Sequence, residues 1–472
     1  MNIIYLLILI PSILINYLIG HLINGPCHPY DKKRKLLMIT GVVFDVLLLA
    51  IFKYSGFFID NVNSIFKTDF VTINLILPLG ISFYTFKQIS CLVDYYRDKE
   101  LSCSILEYAL YISFYPQFVQ GPITLQSEFI PQLRDESRKA WDSEYASSGL
   151  YRFTLGLAKK VIIADTIARA VDGGYGELSE VRAFGALVLI LGYTLQIYFD
   201  FSGYSDMAVG LGLMFHIDLP ENFDSPYKAR SIDEFWDRWH ITLTRFFTRY
   251  VYIPLGGSRK GAVRTYINVF IVFLISGLWH GAEWSFILWG AMHGAAMLIS
   301  RAIRDARRTG DGHVPEGAVE DRGSFVTMIK TVVVFVFINL AWVFFRARNT
   351  AQALDVIRKL FTGGWSGLAE SIYEPFGKVV EISWILHLDV LKLNDRINGI
   401  IVPIIFLVLT AICLFAPNSR ELTAKWHNRL KDIESSNKAG AAVIVSGAAI
   451  AILFAWCVIS FGGVTEYIYW NF

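Results

Sequence analysis

Charge is scarce in this sequence. Only 18% of its 472 residues are Asp, Glu, Lys or Arg, against about 25% in an ordinary soluble domain. The formal net charge is +2, so no basic surface points to a nucleic-acid partner. Cysteine is scarce and scattered: Cys27, Cys91, Cys103, Cys413 and Cys457 show no C-x-x-C spacing. An odd, dispersed set argues against a disulfide framework and against a zinc site; these residues read as small core side chains. No H-x-x-x-H pair exists, so the helical zinc motif is missing and no metal is expected. The turn "LGGSRKG" (255–261) has too little of the Walker pattern to hold a nucleotide. The N-terminus "MNIIYLLILIPSILINYLIGHLI" lacks a basic n-region and an A-x-A site. It therefore reads as a retained first transmembrane helix and not as a signal peptide.

Hydrophobic residues make up 54% of the chain, and 12 Trp, 23 Tyr and 35 Phe bring aromatics to 15%. Apolar runs recur from end to end, which defines an all-α integral membrane protein. After the first run, further spans are expected near 36–52, 71–93, 105–119, 150–167, 184–199, 267–280, 286–301, 325–345, 400–416 and 441–461. That is about eleven in a single polytopic domain over 1–472. Basic residues gather at 31–35, 301–308 and 420–432; the positive-inside rule puts these loops in the cytoplasm and both termini outside. Residues 304–324 read as a polar linker, and 346–399 as an external segment.

Three stretches in the middle carry polar residues where lipid would penalise them. The first, "LQIYFDFSGYSDMAVGLG" (195–212), sets Asp200, Ser202, Tyr204, Ser205 and Asp206 among apolar residues. It reads either as a loop between spans or as a broken helix lining a cavity. The second runs from Pro220 to Gly261. Ser231 and Glu234 fit a capping box, so a helix starts at Ser231. Ile232, Phe235, Trp236, Trp239, Leu243, Phe246, Phe247 and Tyr250 then form a stripe, predicting one amphipathic helix along the membrane surface that presents His240. The third, "LISGLWHGAEWSFILWGAMHG" (274–294), carries His280, Glu283 and His293. His280 reads as a proton-transfer residue or as a histidine bonded at a helix end. On a continuous helix, His293 would turn to a different face, so a shared site with His280 is not expected. Histidine suits acid–base work in an apolar setting because it is readily neutral near pH 7.

At these residues the chain resembles the membrane-bound O-acyltransferase (MBOAT) family, in its bacterial branch of alginate and peptidoglycan O-acetylation. The motifs are "LPLGISFYTFKQISCLVDYYR" (77–97), "FVQGPI" (118–123), "GLAKKVIIAD" (156–165), "YFDFSGYSDMAVGLG", "LPENFDSPYKARSIDEFWDRWHITL", "YIPLGGSRKG" and "GLWHGAEWSFILWGAMHG". They run in order over about 75–295, with further spans at about 325–461. Glu283 departs from the family pattern. The resemblance implies a ring of helices around a central tunnel, with re-entrant and interfacial helices. It implies His280 as the catalytic residue and His240 as the second functional one. Asp200, Ser202, Tyr204, Asp206, Asn222, Trp236, Arg238, Trp239 and Trp279 are expected to bind substrate or line the tunnel. It further implies an acyl thioester (acetyl-CoA or an acyl carrier) as donor, with no bound cofactor. An exported polysaccharide is the implied final acceptor, and an extracytoplasmic acetyltransferase the partner, with lipid around the chain in a bacterial inner membrane. Two rival readings are a transporter or flippase and a non-enzymatic scaffold for polysaccharide export.

Overall fold

The computed structural model describes residues 4–25, 32–72, 75–98, 101–310, 325–377, 395–432 and 437–463. Cys27, Phe472, most of the 304–324 linker and part of the 346–399 segment lie outside these. Helix dominates the described residues. The first half contains α1 (Ile4–Ile23), α2 (Lys32–Phe66), α3 (Ile81–Arg97), α4 (Ile105–Ser113), α5 (Gln126–Arg134), α6 (Ser143–Ala158), α7 (Asp165–Gly176) and α8 (Ala183–Met214). The second half contains α9 (Ile232–Arg238), α10 (Ile241–Phe247), α11 (Ala262–His280), α12 (Trp284–Gly310), α13 (Phe325–Arg346), α14 (Thr350–Thr362) and α15 (Glu370–Gly377). Then come α16 (Asp395–Phe415), α17 (Ser419–Lys431) and α18 (Asn437–Ile459).

Among the described residues, seven helices are long and apolar enough to cross a membrane: α1, α2, α8, α11, α12, α13 and α18. An eighth arises if α16 and α17, bent by 62° at their junction, count as one. The sequence predicts about eleven. The difference lies at 71–93, 105–119 and 150–167. There the structure has α3, which buries Lys87, Gln88 and Asp94 along with its apolar residues, the nine-residue α4, and α6 running into α7. Much of the apolar composition in these stretches is buried against other helices, including Phe83, Phe86, Leu92, Tyr108, Ile112 and Leu157.

Helix α8 is the axis of the molecule: 83% of its span is buried inside the protein, against 6% for α18. It is one continuous helix through 195–212, so neither a loop nor a break interrupts that polar stretch. Its glycines allow contact, not bending. A Cβ on Gly203 would lie 2.8 Å from the Gly156 carbonyl oxygen, and one on Gly156 would lie 2.5 Å from the Gly203 oxygen. Glycine at both positions lets α6 and α8 touch backbone to backbone. A π-helical turn at Lys159–Ala164 joins α6 to α7.

The predicted surface helix is corrected more heavily. Ser231 caps as expected, its Oγ accepting from the Glu234 N–H at 3.1 Å, while the Glu234 carboxylate accepts from the Arg230 N–H at 2.8 Å. The helix then ends at Arg238, and α10 starts afresh at Ile241. Its stripe of Phe235, Trp236, Trp239, Leu243, Phe246 and Phe247 is buried in the protein core. The periodicity is real, but the partner is other helices.

Candidate active site

His280 is the last residue of α11. Three carbonyls at this helix end would otherwise lack partners. The neighbouring α2 supplies them: Lys53 Nζ donates to the carbonyl oxygens of Trp279 (2.5 Å) and His280 (3.3 Å), and the Tyr54 hydroxyl to that of Leu278 (2.9 Å). A lysine also suits the negative end of the helix dipole. Beyond Gly281 the chain reverses, and α12 packs back along α11. Gly277 and Gly290 make this close: a Cβ on Gly277 would meet the Phe286 oxygen at 2.4 Å, and one on Gly290 the Phe273 oxygen at 2.4 Å. Glu283, the departure from the family pattern, lies exposed at the reversal. His280 is only 3% exposed and packs edge-on against Trp279, Trp289 and Phe345, with ring centroids 4.9–5.0 Å away.

His240 sits between α9 and α10 in a left-handed conformation, φ 45° and ψ 51°. Such a backbone is uncommon without glycine and costs about 1–3 kcal/mol. It is held by a short antiparallel pairing in which Asp224 N–H donates to the Arg238 oxygen and Ile241 N–H to the Asn222 oxygen. The left-handed residue lets the chain change direction, and the imidazole is fully buried. Phe201 of α8 meets it edge-on at 4.7 Å, and Trp279 lies 6.4 Å away. The two histidines therefore flank one indole.

Asn222 fixes the tautomer of His240. Asn222 Oδ1 accepts from the Thr242 N–H (3.3 Å) and the Thr242 hydroxyl (2.9 Å), and lies 2.9 Å from His240 Nδ1. An amide oxygen cannot donate, so the proton is on Nδ1. Burial pushes the imidazole down to about 3, which keeps it neutral near pH 7. Nε2 then bears a lone pair, and it has no hydrogen-bond partner among the described residues. It can accept a hydrogen bond from a hydroxyl; it cannot donate one.

The other predicted residues divide. Asn222, Trp236, Trp239 and Trp279 belong to the buried region around the histidines. Trp239 stacks on Phe235 and lies 4.9 Å from Trp342, and Trp279 stacks on Phe86 at 5.0 Å. Asp200, Ser202 and Asp206 instead face the α6–α7 segment. Asp206 pairs with Arg152 (2.8 Å) and Lys159 (2.7 Å), Lys159 also reaches Ser202 (3.4 Å), and Lys160 joins Asp200 (2.6 Å) to Asp165 (2.8 Å). Buried charges persist when paired this way. Tyr204 packs half-buried beside this seam. Arg238 binds Glu234 at 2.9 Å and the Asp224 oxygen at 3.1 Å, away from both histidines.

Sequence reasoning missed Lys53 and Tyr54, whose partners are more than two hundred residues away. It also missed Arg152, Lys159 and Lys160 as partners of the aspartates; charged residues in the apolar run 150–167 were the available signal. On a continuous helix His293 would face away from His280, but the chain reverses at Gly281. His293 is fully buried, and Trp289 lies between the two, 4.7 Å from His293 and 5.0 Å from His280.

A helical membrane chain with two buried histidines converging on one tryptophan, each at the end of its own element, is the class of arrangement this fold defines. Comparison with known proteins places it. The model of the membrane-bound O-acyltransferase family matches residues 99–311. The chain is 42% identical over 382 residues to a peptidoglycan O-acetyltransferase of Helicobacter pylori, covering 76% of this chain and 70% of the relative. It is 36% identical over 371 residues to a probable alginate O-acetylase of Pseudomonas aeruginosa, covering 78% and 68%. A teichoic acid D-alanyltransferase of Bacillus subtilis is 32% identical over 237 residues, covering 48% and 59%. The chain belongs to the membrane-bound O-acyltransferase family. It is a multi-pass membrane enzyme that transfers acyl groups to oxygen.

Proposed function

We propose that this enzyme takes an acetyl group from a cytoplasmic thioester, acetyl-CoA or an acetylated carrier protein. It passes the group towards an exported polysaccharide, directly or through an acetyltransferase on the outer side of the bacterial inner membrane. The observation that carries this reading is the pair His240 and His280 about Trp279, buried in a chain of this family. The named activities of its relatives, on peptidoglycan and alginate, supply the acetyl group and the acceptor class.

In this reading His280 takes the proton of the acceptor hydroxyl as its oxygen attacks the thioester carbonyl. The tetrahedral adduct collapses, the C–S bond breaks, and the thiolate leaves with that proton. His240 orients the hydroxyl through Nε2, since its locked tautomer has no proton to give an oxyanion there. The Trp279 indole N–H, buried and without a partner among the described residues, would donate to the oxyanion. General base catalysis accounts for about 10²–10⁴-fold; positioning in a site that excludes water supplies more and protects the thioester. The tunnel would run through the helix ring from the basic, cytoplasmic ends. Contacts of Asp233 with Arg304, and of Asp224 with Asn418, support a common end for the basic segments near 301–308 and 420–432. Both termini would then lie outside. Purified protein given labelled acetyl-CoA, with and without a glycan acceptor, tests this. Acetyl ester on the glycan, or acetyl passed to an added partner, supports it; no use of any thioester removes it.

A further inference from the structure

A half-open cavity of about 470 Å³ lies between the α5–α6 connection and the C-terminal end of α8. That volume is ordinary for a ligand pocket, about 300–1,000 Å³. Its wall includes Leu213, twelve residues along α8 from the Phe201 that touches His240. That is about 18 Å of helix, so the cavity is separate from the site of the histidines. Helix α8 is long and apolar enough to cross the membrane, which puts its last residues at a membrane surface. The rim agrees with that level. Trp141 is 80% exposed, and Phe215 and Tyr115 are exposed beside each other, ring centroids 6.1 Å apart. Exposed aromatic side chains of membrane proteins favour the headgroup layer.

The charged lining is balanced: Arg138 and Lys139 of one sign, Asp135 and Asp142 of the other. A site for an anionic headgroup would be basic. Arg138 is already engaged, donating to Asp218 (2.9 Å), Gln132 (2.9 Å) and the His216 carbonyl oxygen (3.0 Å). Lys139 is not. Its partner is Glu136, and the two side chains are 57% and 82% exposed, a pairing that contributes little. Asp142 is available too. Its Oδ1 caps α6 by accepting from the N–H groups of Glu144 (2.9 Å) and Tyr145 (3.0 Å), and its Oδ2 makes no bond among the described residues. The Tyr145 N–H holds this carboxyl below its usual range, so it is an anion near pH 7. A further polar atom of the lining is unmatched. His216 Nδ1 is buried without a partner among the described residues, its ring 4.2 Å from that of Tyr145.

An available cation and an available anion share this cavity with the apolar Leu133, Leu213 and Ile217. They match a ligand that carries both charges and an apolar continuation. A phospholipid with a primary amine has this pattern of phosphate, ammonium and acyl chains. A quaternary amine fits less well. It has no N–H to give a carboxylate, and it is held in cages of aromatic rings, whereas Trp141 stands out at the rim.

We propose that this cavity binds the headgroup of an ethanolamine phospholipid, Lys139 taking the phosphate and Asp142 the ammonium. Lipid binding here is independent of which donor or acceptor the enzyme uses. The test titrates dihexanoyl phosphatidylethanolamine, phosphatidylcholine and phosphatidylglycerol into full-length protein in detergent, with free O-phosphoethanolamine alongside. The rise in unfolding temperature reports binding. Asp142→Asn removes the charge and keeps the cap, since asparagine caps as well as aspartate. Lys139→Ala alters an exposed side chain.

Wild type should bind the ethanolamine lipid about tenfold more tightly than the choline or glycerol lipid, and the free headgroup more weakly than the lipid. Asp142→Asn should abolish the preference over choline. Lys139→Ala should weaken the ethanolamine and choline lipids alike, by about threefold, and keep the preference. Equal binding of the ethanolamine and choline lipids to wild type overturns the assignment, as does tighter binding of the glycerol lipid. So does a preference that survives in folded Asp142→Asn. Free phosphoethanolamine binding as tightly as the lipid would make this a site for a soluble solute, and would also overturn it.

Discussion

Replacing Lys53 by Met tests how the catalytic histidine is held. Lys53 Nζ bonds two carbonyls at the end of α11, at 2.5 and 3.3 Å, and Tyr54 bonds a third at 2.9 Å. Methionine keeps most of the stem and removes the charge and both bonds. A buried intramolecular hydrogen bond contributes about 0.5–1.5 kcal/mol net. Loss of the two should therefore cost about 1–3 kcal/mol locally, mostly at the last turn. Tyr54→Phe should cost about 1 kcal/mol. Freed carbonyls let the helix end unwind, and a shift of about 1 Å in His280 is enough to lower the rate about 100-fold. The expected result is a large fall in kcat with little change in KM, because neither lysine nor tyrosine contacts substrate in this account. Initial rates of acetyl transfer, with thermal unfolding of the same sample in detergent, separate the two effects. A variant that loses stability but keeps kcat within about twofold would show that the cap holds the helix without placing the histidine.

Asn222→Leu should lower acyl transfer by about 10²-fold or more, since His240 loses its fixed tautomer, and should lower the unfolding temperature, since His240 Nδ1–H and Thr242 lose their acceptor; initial rates per folded protein separate the two. Lys160→Met removes the cation that Asp200 and Asp165 share in the core, and breaking such a buried ion pair should cost about 3–5 kcal/mol, read as a loss of folded protein after detergent extraction. The pH dependence of stability has a stated sign. His240 stays neutral in the folded protein down to about 3 but takes a proton in the unfolded chain below 6.5. Stability therefore falls as pH drops from 6.5 towards 3, by about 1.4 kcal/mol per unit. Unfolding of His240→Phe between pH 6.5 and 5 should show a shallower fall than wild type.

The parts of this protein legible in sequence were those set by local chemistry. Membrane residence followed from composition, and the Ser231 cap from a four-residue pattern. His240 and His280 stood out as polar residues in apolar runs. What the sequence concealed was which surface each apolar stripe meets. The stripe from Ile232 to Tyr250 reads the same whether it lies on lipid or on helices, so its burial, and the break at His240, required the fold. The polar stretch of α8 reads in sequence as a loop or a broken helix, because Asp200 and Asp206 stand among apolar residues beside Gly203, Gly210 and Gly212. Their cations come from Arg152 on α6 and from Lys159 and Lys160 in the π-helical turn after it. The position of His293 relative to His280 depends on the reversal at Gly281, which the 3.6-residue repeat of a continuous helix does not contain.

The most direct measurement is acetyl transfer by purified His280→Gln protein in vesicles. Glutamine retains polarity and hydrogen-bonding capacity but cannot take up the proton. The account predicts a folded protein with wild-type donor binding and no detectable transfer of labelled acetyl from acetyl-CoA to a glycan hydroxyl or to the added partner. Transfer at near the wild-type rate would contradict it, and would leave His280 as a structural end to its helix.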